Sequence, residues 1–301
     1  MCSYFLVGPG RFPIKSALTE EHQKINFLWS DVLGSDEAAT IFHRLREEVQ
    51  WTTMMHKGGE VPRLVALQYI PGPGGAVPIY RHPIDKEPPA TTFTPTVDLI
   101  RRTIETKFSL QLNHCLIQLY RSGQDFIGEH SDKTLDVKRG SPIVNYSTGS
   151  TRQMILKPKR DAQGQRGSSL RVDLPHDSLF VLGWETNKAM THSIRQDRRT
   201  LAEKRPDELL ENGERISLTF RNIATFQTKI DGNLRLFGQG ARCKTREDLL
   251  SACSNEVSGQ NDEQDLLKAF MAENRESDFD WDQAYGEGFD IITINNDENK
   301  V

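Results

Sequence analysis

Cysteine is scarce in this sequence and badly placed for cross-linking. Cys2, Cys115, Cys243 and Cys253 lie far apart or alone, and none form a C-x-x-C pair. Neither a disulfide scaffold nor a zinc knuckle is expected, and a reducing intracellular compartment fits. Long hydrophobic runs are missing too, so no helix is expected to span a membrane. The first residues, Met1-Cys2-Ser3-Tyr4-Phe5, are not a basic stretch followed by a long apolar one, and no signal peptide is expected. An excess of positive charge is also absent: the net charge is −4 and the isoelectric point is near 6.1. That excludes a generally basic nucleic-acid coat, although unevenly distributed charge leaves a local basic groove open. The expected setting is the cytoplasm, the nucleus or both, without membrane contact.

The 301 residues suffice for one large domain or two small ones. An apolar fraction of 36% can fill a core, and a mean hydropathy of −0.57 implies substantial polar loops or tails. Residues 1–25 read as an irregular leader broken by Gly8, Pro9, Gly10 and Pro13. Residues 26–230 read as the main domain and 231–301 as an acidic, partly helical C-terminal extension. The spacing of Ile41, Phe42, Leu45 and Val49 predicts a helix over Asp36–Val49. Thr94 followed by Pro95 predicts a second helix, with an apolar stripe of Val97, Ile100, Ile104 and Phe108. Val65–Ile70 reads as a strand. From Asn113 to Ile223 short apolar runs alternate with turn residues: Cys115–Tyr120, Pro142–Ser147, Met154–Lys157, Leu170–Leu174, Ser178–Leu182 and Ile216–Phe220. Helices before a run of strands predict an α+β fold with a sandwich or barrel core. In the extension, Leu266, Leu267 and Phe270 form a weak helical stripe. Phe279, Trp281, Tyr285 and Phe289 punctuate an acidic run. That run is either an appendage docked by its aromatics or a segment that binds a protein partner.

His130-Ser131-Asp132 carries the chemistry. Residues two apart on a strand share a face, so the imidazole and the carboxylate can reach one metal together. A second histidine from a distant strand completes a 2-His-1-carboxylate set, which suits ferrous oxygenases because it leaves coordination positions open. His192, in the strand-like Met190-Thr191-His192-Ser193-Ile194, is the best placed candidate. Taken alone, H-x-D is common and is more often a surface turn with a histidine.

Arg215 to Arg221 adds weight. With period two, Arg215, Ser217, Thr219 and Arg221 share one face, and Ile216, Leu218 and Phe220 the other. In an open sheet the polar face simply meets water. In a closed fold it lines a cavity, where buried guanidinium groups require anions and match carboxylates in a bidentate fork.

Three segments together resemble the AlkB-like Fe(II)/2-oxoglutarate-dependent dioxygenase family. Cys115–Tyr120 with Gly123 and Ile127–Asp132 resembles its metal-binding stretch. Gly140-Ser141-Pro142-Ile143 resembles the start of its next strand, and Arg215-x-Ser217-x-Thr219-x-Arg221 its R-x-N-x-T-x-R signature. The similarity runs from about Ser30 to Ile223. It implies a double-stranded β-helix, or jelly roll, with supporting N-terminal helices. It also implies Fe(II), 2-oxoglutarate and O2, with His130, Asp132 and His192 as iron ligands. By the same resemblance Arg215 pairs with the distal carboxylate of 2-oxoglutarate and Tyr120 hydrogen-bonds that end. Gln118 is a cosubstrate contact where the family usually has asparagine, and Arg221 lies near the keto-acid end.

The implied substrate is alkylated nucleic acid, demethylated by hydroxylation of an N-methyl group and loss of formaldehyde. Val61-Pro62-Arg63 resembles a segment preceding the substrate lid, so Arg63 is a candidate contact. Tyr80 falls in the region of a base-stacking aromatic, or packs in the core. Thr134 stands where the family often has an acidic residue that meets the base. Thr134, Ser217 and a short Trp51–Val61 stretch depart from the repair enzymes. Basic residues in Arg195–Arg205, and Lys157, Lys159, Arg160 and Arg166, are phosphate contacts or solvated loops. A small-molecule or peptide hydroxylase of a biosynthetic pathway is the alternative, and an inactive binding module the third reading.

Overall fold

The computed structural model describes residues 27–56, 59–83, 88–160, 164–165, 167–251 and 260–292. The leader expected over residues 1–25 lies outside them, as do Cys2, Lys57, Arg166 and Cys253. A short strand, β1 (Phe27–Ser30), leads into α1 (Ser35–Glu48). This helix forms where the spacing predicts it: Ala38, Ile41, Phe42 and Leu45 are buried, and Asp36 and Glu37 face the positive end of its dipole. Three short strands flank one longer one: β2 (Met55–His56), β3 (Gly59–Glu60), β4 (Leu64–Tyr69) and β5 (Val77–Pro78). After β6 (Ala90–Thr92), α2 (Pro95–Phe108) starts at the proline and buries Val97, Ile100, Ile104 and Phe108, as expected. The side chain of Thr94 makes no cap bond; Glu48 at the end of α1 instead accepts from the Thr96 N–H at 2.9 Å and joins the two helices.

The strand-rich half comprises β7 (His114–Tyr120), β8 (Ile127–His130), β9 (Ile143–Gly149), β10 (Arg152–Pro158), β11 (Leu170–Leu174) and β12 (Ser178–Leu182). A six-residue helix, α3 (Trp184–Ala189), precedes β13 (Met190–Ile194), and β14 (Arg215–Arg221) closes the set. Two sheets result, with strand orders β1-β12-β9-β14-β7-β4-β6 and β11-β10-β13-β8. Between them pack Tyr120, Ile143, Met154, Leu156, Phe180, Leu182 and Ile194. The far face of the larger sheet is buried under α1 and α2 through Ile117, Leu119, Val144, Ile216, Leu218 and Phe220. The alternation read in β14 is therefore real, with its apolar side under the helices and its polar side turned to the second sheet. This is the helix-backed jelly roll in an α+β fold that the sequence led us to expect.

A hairpin of β15 (Thr225–Ile230) and β16 (Asn233–Gly238) follows and pairs with β5. It crosses residue 230. Beyond it come α4 (Arg246–Ser251), α5 (Gln260–Arg275) and α6 (Trp281–Tyr285). Leu266, Phe270, Phe279 and Tyr285 are buried together with Leu135 of the main domain, and Trp281 and Phe289 pack against them. The aromatic run is thus a docked appendage. Cys243 is disulfide-bonded, a single link short of a scaffold, while Cys115 is free and buried. Scattered spacing says nothing about which cysteines a fold brings together. Among the described residues no helix is long and apolar enough to cross a membrane.

Candidate metal centre

The antiparallel pairing of β8 with β13 sets His130 directly opposite His192. Their ring centroids are 4.3 Å apart. The strand ends at His130, and Asp132 returns to the same face from the loop beyond it rather than by strand alternation. Its Oδ1 lies 3.8 Å from Nε2 of His130 and 3.7 Å from Nε2 of His192. One ligand atom from each of the three residues lies within 4.8 Å of the others, a set that can hold one divalent cation from one side. The Nδ1 of His130 sits 2.9 Å from the carbonyl of Gly128. With the proton on that nitrogen, the Nε2 lone pair faces Asp132.

Electrostatics favours the ligating forms. Burial lowers the pKa of His130, and that of His192 to about 3, with the neighbouring His130 adding to the effect on His192. Neutral imidazole is the form that binds metal. Burial alone would push the Asp132 carboxyl up, but Arg221, then His192 and His130, hold it well below the usual carboxylate range. Oδ2 of Asp132 accepts from Arg221 Nε at 2.9 Å and Nη2 at 2.6 Å. One carboxylate oxygen is therefore fixed by a guanidinium and the other is left toward the imidazoles. Asn187 of α3 clamps the same residue by its backbone: its Oδ1 accepts from the Asp132 N–H at 3.0 Å and its Nδ2 donates to the Asp132 carbonyl at 2.9 Å. Sequence reading missed Asn187, because a six-residue helix leaves almost no periodic signal.

Arg215 at the other end of β14 is in a different state. Its Nη2 donates to Ser147 Oγ at 2.7 Å and to Asn145 Oδ1 at 3.2 Å. Its Nε and Nη1 are buried without a hydrogen-bond partner. Tyr120, its cross-strand neighbour, lies with its ring 5.3 Å from the guanidinium carbon. Burial lowers the pKa of Arg215 to about 10, which Tyr120 opposes, so the group stays charged at neutral pH. A buried cation with unmet donors demands an anion, since desolvation without a partner is costly. A cavity of about 60 Å³ is lined by His130, Asp132, His192, Gln118, Tyr120, Arg215 and Arg221. All seven side chains expected to serve iron and 2-oxoglutarate thus meet in one place. A nitrogen and carboxylate donor set at one end and an unpaired guanidinium at the other fit a ferrous ion and a dicarboxylate.

The three candidate substrate contacts sit outside that lining. Arg63 is buried, with Nε donating to Gln118 Oε1 at 2.6 Å and Nη1 to the Phe126 carbonyl at 3.1 Å. Tyr80 is buried under Arg221, whose guanidinium carbon lies 4.1 Å from the ring centroid, and its hydroxyl accepts from the Lys133 N–H at 3.0 Å. Thr134 is buried and donates its N–H to Glu273 at 2.9 Å. His82, one of the other histidines of the sequence, is half-buried with its ring 5.1 Å from that of Tyr80. Burial lowers its pKa to about 4, with Arg221 adding to the effect, so the ring is neutral at physiological pH. The basic loop is largely self-neutralised: Arg199 pairs with Asp197 at 2.9 Å and Glu208 at 2.7 Å, and Arg205 with Asp173 at 2.9 Å. Lys157 pairs with Glu129 at 3.0 Å.

The 2OG-Fe(II) oxygenase superfamily matches residues 27–221. The chain is 29% identical over 210 residues to the DNA oxidative demethylase ALKBH2 of Bos taurus, covering 66% of this chain and 69% of that one. It is 27% identical over 195 residues to the alpha-ketoglutarate-dependent dioxygenase alkB homolog 3 of Bos taurus, covering 62% of each. A solved structure, that of OsALKBH1, aligns with a TM-score of 0.44 and 15% identity over 65% of this chain and 95% of that one.

Proposed function

Because this chain belongs to the 2OG-Fe(II) oxygenase superfamily and is AlkB-like, we propose that it oxidatively demethylates alkylated nucleic acid. The coarser activity is that of a dioxygenase, an oxidoreductase that uses Fe(II), 2-oxoglutarate and O2. In our reading His130, Asp132 and His192 hold the iron, and Arg215 with Tyr120 holds the far carboxylate of 2-oxoglutarate. When bound, iron and the keto acid together supply the oxidising power that turns a substrate C–H into C–OH at the expense of O2.

The chain's own residues do the rest. Arg221 neutralises Asp132 and fixes which oxygen faces the imidazoles. Gly128 sets the tautomer of His130. Arg63 turns the Gln118 carbonyl oxygen toward itself, so the Gln118 amide N–H groups remain for the cosubstrate. Leu116, Ile127, Met154 and Leu182 line the remaining walls of the cavity and exclude water from it. His82 is the ring we assign to stacking on a flipped base, with Tyr80 behind it as a platform.

The observation that carries the substrate reading is similarity to DNA oxidative demethylases across about two thirds of the chain. The test supplies Fe(II), 2-oxoglutarate and O2 to the full chain with single-stranded DNA and RNA oligonucleotides bearing N-methylated bases. Formaldehyde, succinate and restored bases in equal amounts are expected. Succinate without formaldehyde from either polymer would turn the reading to a small-molecule or peptide hydroxylase.

A further inference from the structure

The four residues from Ser131 to Thr134 carry the metal-binding carboxylate on a short loop with no ladder of its own. Each backbone N–H in it must find a partner, since an orphaned buried N–H costs free energy. Every one is met by a side chain. Asn187 takes Asp132 and the Tyr80 hydroxyl takes Lys133. The other two partners come from α5, more than 120 residues away: Asn274 Oδ1 accepts from Ser131 N–H at 2.8 Å, and Glu273 Oε1 accepts from Thr134 N–H at 2.9 Å. The hydroxyl of Thr134 donates to the same Glu273 oxygen. Tyr285 donates to the other Glu273 oxygen at 2.8 Å, which fixes the carboxylate in place. Lys159 donates to the Glu273 carbonyl and Trp281 lies 3.4 Å from the Thr134 carbonyl. Glu273 is only 3% exposed, so its burial has a purpose beyond surface solvation.

We propose that Glu273 and Asn274 are positioning residues of the metal centre, and that the C-terminal extension is a working part of the site rather than an accessory to it. They act through the backbone on either side of Asp132, not on the metal itself. With Asn187 and Tyr80 they over-determine the loop, so Asp132 is held ready before any ion arrives. The inference rests on the ligand assignment above and is independent of which substrate is oxidised.

The test measures Mn(II) affinity of the full chain by electron paramagnetic resonance, and amide hydrogen exchange of residues 131–134 in the metal-free chain. Glu273→Ala should weaken Mn(II) binding about tenfold or more, the usual effect of removing a group that orients a ligand. It should also speed exchange at Thr134. Glu273→Gln keeps the acceptor for Thr134, and the Tyr285 hydroxyl can turn to accept from the new amide, so binding should return to within about twofold of wild type. Ile104→Ala, in the core of α2, lowers thermal stability without touching the loop and should leave Mn(II) affinity unchanged. Should Glu273→Ala fail to fold, Asn274→Ala and Tyr285→Phe carry the same expectation at a few-fold. Wild-type affinity in Glu273→Ala, or in both substitutes, overturns the proposal, as does equal weakening in Ile104→Ala. A wild-type chain that binds no Mn(II) overturns the ligand assignment as well, which separates the two failures.

Discussion

Arg215 and Arg221 stand on the same face of one strand, six positions apart, and are in opposite condition. Arg221 is committed to Asp132 through two short hydrogen bonds, which leave only its Nη1 unmet. Arg215 has a buried Nε and Nη1 with nothing to bond. Sequence type and burial are nearly identical, so the difference lies in what faces each end. One arginine completes the protein's own charge balance; the other, in our proposal, meets its anion from outside. Either partner of an internal pair is costly alone, and a buried cation with unmet donors is costly until an anion meets it.

Four substitutions put that contrast under strain. The largest effect is expected from Asp132→Ala. It removes a proposed ligand and leaves Arg221 buried without its anion, so turnover should vanish and the metal-free chain should lose about 3–5 kcal/mol of stability. Turnover assays and denaturant unfolding read both. Arg221→Met leaves the opposite orphan and should cost the metal-free chain a similar ~3–5 kcal/mol. Here added Mn(II) should recover part of the loss, because the cation supplies charge that Asp132 has lost. No recovery on thermal melting would show that Arg221 is not there for Asp132's charge.

Arg215→Met should behave unlike either. Its guanidinium has unmet donors, and the acceptors it leaves, Ser147 and Asn145, already bond each other at 3.3 Å. Stability of the metal-free chain should therefore change by less than about 1 kcal/mol. The affinity for 2-oxoglutarate should fall by about a hundredfold, the loss of a charge-assisted bidentate pair worth roughly 3 kcal/mol. A cosubstrate concentration a hundred times its Kd stabilises the wild-type chain by about 2.7 kcal/mol, and the variant should show almost none of this. The smallest effect is expected from His82→Ala. It should raise KM for a methylated oligonucleotide about fivefold, the scale of one aromatic stacking contact of ~1 kcal/mol, and leave 2-oxoglutarate affinity alone.

Much of this contrast was legible in the chain. The period-two pattern of β14 placed both arginines on one face, and the turn-punctuated apolar runs located β4, β7, β9, β10, β11, β12 and β14 within one or two residues, while the short edge strands β1 and β6 went unread. His130, Asp132 and His192 converge as expected, although Asp132 does so from a loop and not from a strand. What was not legible has one physical cause: hydrogen bonds between distant side chains and backbone leave no periodic trace. Asn187 sits on a helix too short to announce itself. Glu273 and Asn274 lie on a weakly amphipathic helix whose buried face shows in Leu266 and Phe270, but whose polar grip on residues 131–134 does not. Tyr80 and His82 show a third case. The sequence pointed to the aromatic, yet the fold buries Tyr80 under Arg221 and leaves the half-buried imidazole of His82 beside it.

The most direct test is an oxygen-free titration of the full chain with Fe(II) and then 2-oxoglutarate, followed by visible absorption. If the three side chains share one ferrous ion and Arg215 anchors the keto acid beside it, a metal-to-ligand charge-transfer band should grow and saturate in the wild-type chain. The band should be absent in Asp132→Ala and should require far more 2-oxoglutarate in Arg215→Met. The same band at the same concentrations in all three proteins would contradict the assignment of the site.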